Sequence, residues 1–216
     1  MASFRPRGPM TPFPDFEARA AKSIEMASAL SHRLAADPLA RSAVAGIAQL
    51  VLEALSAGNK LILFGNGGSA ADCQHIAADF VGRFAFDRDA LPAMALTVNT
   101  SSLTAIANDY GFEHVFSRQI QGLGRPGDVA MGLSTSGNSP NVLRGLAAAR
   151  ELGLRTVALT GASGGKLKDS LDLDFCVCVP SDETPRIQEC HTLIGHVISE
   201  LVEQDFFHAQ GRLPGS

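Results

Sequence analysis

Residues 60–70 read KLILFGNGGSA, a run of four apolar residues that breaks into three glycines, an asparagine and a serine before a helical pattern begins. Four consecutive apolar residues suit a strand covered on both faces. Gly65, Gly67 and Gly68 allow a sharp turn with main-chain N–H groups exposed, and the helix that follows adds partial positive charge at its start. The stretch therefore predicts strand, anion-accepting loop and helix in succession. The same unit recurs along the chain: strand-like runs are expected at 61–64, 93–98, 129–133, 156–159 and 175–179. Helical periodicities fall between them at 70–81, 103–123, 141–152 and 166–171, with a last helix at 185–207. Strands alternating with helices predict an α/β fold, a five-stranded parallel sheet flanked by helices in three layers. Two helices precede the sheet, the first over 16–36 and the second with Asp37 as N-cap, Pro38 at its first position and Gly58 past its end. The expected organisation is a flexible lead at 1–14, N-terminal helices at 15–58 and an α/β unit at 59–210.

Composition bounds the function. The 216 residues are 45% hydrophobic and 19% charged, enough apolar material for one sizeable core, and the low charge points to an oligomer. A net charge of −4 argues against a protein built to grip nucleic-acid phosphates. No continuous apolar run reaches the roughly 18 to 20 residues that span a bilayer, and the proline-rich N-terminus has no apolar signal core, so a cytosolic protein is expected. Cys73, Cys176, Cys178 and Cys190 lack CxxC spacing and read as reduced core thiols.

In a sheet of this kind, ligands bind beyond the carboxyl ends of the strands. After the first strand, residues 65–70 also fit a G-x-G-x-x-A dinucleotide fingerprint or a plain tight turn, but the second strand run ends in Thr97-Val98-Asn99 with no carboxylate for a ribose. After the third strand, LSTSGNSPN at 133–141 sets Ser134, Thr135, Ser136 and Ser139 around a glycine, ahead of a helix starting at Pro140. Hydroxyls with exposed amides hold phosphate oxygens without net positive charge; the alternative is a serine N-cap in a polar loop. His75 and Asp79, four residues apart on one helix face, suit metal chelation, acid–base pairing or a surface hydrogen bond. Gln188 and His196 lie eight residues apart on the last helix, about 12 Å along its axis. One undistorted helix cannot bring both to one ion, so if both serve one site the simplest solution draws them from different copies of the chain.

Four segments, GNGGSAADCQHIAADFVGRF, TAIANDYGFEHVFSRQI, LSTSGNSPNV and RIQECHTLIGH, together resemble the sedoheptulose 7-phosphate isomerases, or phosphoheptose isomerases, of the sugar isomerase (SIS) fold. The similarity covers everything after the first 15 residues. It implies a homotetramer with sites at subunit interfaces that converts the ketose phosphate into D-glycero-D-manno-heptose 7-phosphate for lipopolysaccharide or other bacterial glycans. By position it implies Asp79 and His196 as catalytic residues. Substrate contacts would come from Asn66, Gly67, Gly68, Ser69, Asp79, Arg83, Asn108, Asp109, Ser134, Thr135, Ser136, Ser139 and Gln188. Zinc is implied as cofactor, held by His75, Asp79, Gln188 and His196. Two departures stand out: Asp79 replaces the family's usual glutamate, and Pro185 stands where some relatives carry aspartate. The alternative within the fold is a non-catalytic regulator similar to the tetrameric protein that associates with the replication initiator; that branch lacks the acid and the histidine present here as Asp79 and His196.

Overall fold

A computed structural model describes residues 15–208; the N-terminal lead expected at 1–14 lies outside them. Helix α1 (Phe16–Ala36) begins on Asp15, whose carboxylate accepts from the Glu17 and Ala18 amides, and α2 (Pro38–Ser56) begins on Asp37 in the same way. The sheet comprises β1 (Leu61–Gly65), β2 (Ala93–Ala95), β3 (Val129–Ser134), β4 (Arg155–Thr160) and β5 (Phe175–Cys178), all parallel in the order β2-β1-β3-β4-β5. Between and after them run α3 (Gly68–Val81), α4 (Thr100–Tyr110), α5 (Ser117–Leu123), α6 (Pro140–Glu151), α7 (Gly165–Ser170) and α8 (Thr184–His208).

Alternation along the strands divides the core in two. Leu61, Leu63, Met131, Leu133, Val157 and Leu159 face a layer built from α2, α3 and α8, whereas Ile62, Phe64, Ala130 and Ala158 face α5 and α6. Residue 132 falls on the second face, where a Cβ would press into Val142 and Leu146 of α6, so glycine suits it. At the amino ends of the strands, Asp128, 1% exposed, accepts from the Lys60 amide, its ammonium and the Arg125 amide, tying β1 to β3 at the end opposite the ligand loops.

Three expectations change. The second strand stops at Ala95 instead of reaching 98: the Leu96 amide still bonds Leu63, but Thr97 turns toward α3, its hydroxyl accepting from Gln74. The single helix expected over 103–123 is α4 and α5 with a 3-10 turn between them, because Gly111 adopts φ +92° and ends α4. Finally, α2, of 19 residues, is long and apolar enough to cross a membrane by length and composition, with mean hydropathy 1.3 over an 18-residue window, although no continuous apolar run showed it. Here it packs against α8 and β5, with Ile47, Leu50, Val51 and Leu55 buried.

Candidate active site

The strand order reverses between β1 and β3, so the loops leaving their carboxyl ends diverge and open a crevice. A cleft of about 320 Å³ occupies it, lined by Asn66, Gly67, Gly68 and Ser69 after β1, Ser134, Thr135 and Ser139 after β3, and Gln188 of α8. Leu133 and Thr184 complete the lining. Both α3 and α6 start here without a side-chain N-cap bond, so two helix N-termini present positive partial charge to the same space. The Ser134 and Ser139 hydroxyls lie 2.9 Å apart. Ser139 is the N-cap residue of α6 by position, but its hydroxyl faces Ser134 and makes no cap bond to the helix, which leaves it to the cleft.

Two devices hold the β3 loop in register, one against the β1 loop and one against the loop after β4. Asn66 and Asn141 exchange amide hydrogen bonds of 2.8 and 2.9 Å, clasping the β1 loop to the first turn of α6. Gly137, at φ +65°, lies so close to the Gly164 carbonyl that a Cβ would collide with it, while the Gly161 amide bonds the Thr135 carbonyl. Asn141 is 2% exposed and was legible only as the end of a polar loop; its partnership with Asn66 spans 75 residues and leaves no local signal.

A second cluster lies further along α3 and α8. His75 Nε2 and His196 Nε2 are 2.8 Å apart, and His75 Nε2 is 3.9 Å from Asp79 Oδ2. Gly195 makes the meeting possible: a Cβ there would run into the Ile76 side chain, so the neighbouring pair His75 and His196 are brought into contact by the close helix crossing. At the other end of the crossing, a Cβ on Gly68 would lie 2.6 Å from the Gln188 amide, which needs that room. Burial raises the Asp79 carboxyl above its ordinary range, opposed by His75 and His196. Asp72, two turns earlier on α3, accepts from Thr192 of α8 at 3.0 Å and is likewise raised by burial.

Three of the four residues expected to hold a metal ion come together. One ligand atom each from His75, Asp79 and His196 lie within 4.8 Å of one another, and Asp79 Oδ2 is buried with no hydrogen-bond partner. Two imidazoles and a carboxylate form a donor set suited to zinc with a coordination position left open. Gln188 lies instead in the cleft, two turns away on α8. Ser136, Arg83, Asn108 and Asp109 do not line the cleft: Ser136 accepts from the Asn138 amide within its turn, Arg83 is exposed just past α3, and Asn108 bonds Asp109 on the exposed end of α4.

A SIS domain model matches residues 23–161. The phosphoheptose isomerase of Akkermansia muciniphila is 55% identical over 161 residues, covering 74% of this chain and 84% of that protein, and that of Aquifex aeolicus is 57% identical over 161 residues, covering 74% and 83%. The chain belongs to the phosphoheptose isomerase family of SIS domains. Among solved structures, the phosphoheptose isomerase of Neisseria gonorrhoeae is similar at 41% identity and TM-score 0.82, covering 88% of this chain and all of that one. The Francisella tularensis phosphoheptose isomerase follows at 34% and 0.81, covering 87% and 97%. These similarities agree with the SIS fold implied by the four motifs and favour the enzyme over the non-catalytic regulator.

Proposed function

We propose that the chain is an isomerase interconverting D-sedoheptulose 7-phosphate and D-glycero-D-manno-heptose 7-phosphate in the cytosol, supplying heptose for bacterial surface glycans. The observation that carries this reading is the convergence of His75, Asp79 and His196 from two helices whose N-terminal ends border an anion-accepting cleft. Ketose–aldose isomerisation moves one proton between C1 and C2 and another between their oxygens through an enediol, which requires a base beside carbon and an acid beside oxygen. Asp79 and His196 supply that pair. Burial makes the Asp79 carboxylate a stronger proton acceptor, and an imidazole exchanges protons near neutral pH. The phosphate is held by the hydroxyls of Ser134, Thr135 and Ser139 and by main-chain amides of residues 67–69, and this remote binding energy keeps the open-chain sugar in register during proton transfer. His75, Asp79 and His196 would hold zinc, which when bound polarises the reacting oxygens.

The rise of α8 separates Gln188 from His196 by about 12 Å, so hydroxyl cleft and acid–base cluster are halves presented by one rod. A homotetramer that sets the cleft of one copy against Asp79 and His196 of another would join them, with Arg83, Asn108, Asp109 and Ser136 reaching the sugar across the same boundary. That arrangement would also return Gln188 to the metal as a fourth ligand. Incubating the purified protein with sedoheptulose 7-phosphate should yield the aldose phosphate. Absence of product together with capture of a replication initiator would favour the regulatory reading.

A further inference from the structure

We infer that Arg88 and Glu203 are positioning residues for the isomerisation: their buried ion pair fixes the end of α3 that carries Asp79 and seats the Phe84 ring on His196. The inference rests on the isomerase reading above.

Neither side chain is exposed by more than 2%, and Arg88 Nε donates to Glu203 Oε1 at 2.9 Å. The rest of the guanidinium is spent on main-chain carbonyls. One terminal nitrogen donates to Asp79 at 2.7 Å; the other donates to Phe80, Gly82 and Asp89. The first three carbonyls belong to the last turn and cap of α3, where a helix leaves its acceptors without intrahelical donors. Glu203 does the complementary work, each carboxylate oxygen accepting one main-chain amide, from Phe84 at 2.8 Å and Ala85 at 2.7 Å. The loop so fixed places Phe84 with its ring centroid 5.7 Å from that of His196. Glu203 follows His196 by seven residues, two turns on along the same face of α8. One ion pair thus references both catalytic candidates to one another across the α3–α8 crossing.

Stability alone is a poor account of it. A buried ion pair gains little over apolar side chains of the same volume, because desolvation offsets the attraction. Apolar replacements, however, could not satisfy four carbonyls and two amides, nor hold the residue 82–89 loop in one place.

The test uses the full-length protein with Glu203→Gln, Arg88→Lys and Phe84→Leu, measuring kcat, KM, thermal unfolding and the NMR ring-proton shifts of His196. Glu203→Gln presents an NH2 group to an amide that needs an acceptor, and Arg88→Lys keeps the charge but loses the planar fork. In the folded variants kcat should fall about 30-fold, since misplacement of about an ångström is enough for that. KM should stay within about threefold, since the phosphate cleft is untouched. The His196 ring protons should move in all three variants as the Phe84 ring shifts or is lost. Folded variants with kcat within about twofold of the parent and unmoved His196 resonances would overturn the inference. So would a loss of kcat that merely tracks the unfolded fraction. If Glu203→Gln does not fold, the other two variants decide. If the parent itself turns over no heptose phosphate, the isomerase reading fails separately, and the His196 resonances still report whether the clamp sets that ring.

Discussion

The resemblance implies a glutamate, one methylene longer, at the position of Asp79; the shorter carboxylate still lies beside the imidazole one helical turn back, His75 Nε2 being 3.9 Å from its Oδ2. Asp79→Glu should therefore retain activity or raise it, whereas His196→Ala should lower kcat by about 10² to 10⁴, the usual worth of a positioned acid–base group, without unfolding the protein. Turnover of sedoheptulose 7-phosphate by each variant checks both; a dead glutamate variant would mean a pocket shaped for aspartate. The cysteines divide by environment. Burial pushes Cys73 and Cys190 up, whereas Cys178 is brought down to about 7 by a hydrogen bond from Cys176, which is raised in turn. Limited alkylation near neutral pH should label Cys178 ahead of Cys73 and Cys190, as read by peptide mass mapping.

The element that decides the site is α8 and its crossing with α3. Gly195 is the point of closest approach, so Gly195→Ala should force Ile76 aside, cost about 1–3 kcal/mol of stability and separate His75 from His196. Adding Ile76→Val removes the nearer of the two colliding carbons and should restore part of both stability and turnover; a single variant as active as the parent would show that the crossing tolerates spreading. Most elements were legible in the sequence because their signals are local. The alternating layers of β1, β3 and β4 come from continuous apolar runs, and Asp37-Pro38 marks the α1–α2 junction by its chemistry. The break at Gly111 was not, since apolar residues recur at helical spacing on both sides of it and only the backbone shows the turn. The Arg88–Glu203 pair was invisible for a stronger reason: 115 residues separate its members, and neither belongs to a motif.

At the scale of the whole molecule, the two halves of the proposed site give a test of assembly. Mixing a His196→Ala protein with a Ser134→Ala, Ser139→Ala protein under subunit exchange should regenerate activity that neither has alone if each site draws on two copies; no recovery in confirmed mixed oligomers would confine the site to one chain. Acid stability is a second global property. His191 is fully buried on α8, its Nε2 near the Thr160 carbonyl at 3.3 Å and its Nδ1 without a partner, and burial lowers it to about 4. The unfolded chain takes up this proton first, so the stability is complete above about pH 6.5 and is lost as pH falls toward 4, amounting to about 2 kcal/mol by pH 5. His191→Gln should flatten the fall of melting temperature between pH 7 and pH 5.

The amide clasp between Asn66 and Asn141 has a bearing on how the protein ages. Asn66 precedes a glycine, the pairing whose backbone nitrogen most readily attacks the side-chain carbonyl to close a succinimide. Held by Asn141, that carbonyl is kept from the attack; in an opened loop it is not. Hydrolysis of the ring would leave a carboxylate in place of the amide donor, facing the Asn141 oxygen. Damage accumulated during storage or partial unfolding should thus concentrate at this one peptide and release the β1 loop from α6, while ligands that close the cleft should slow it.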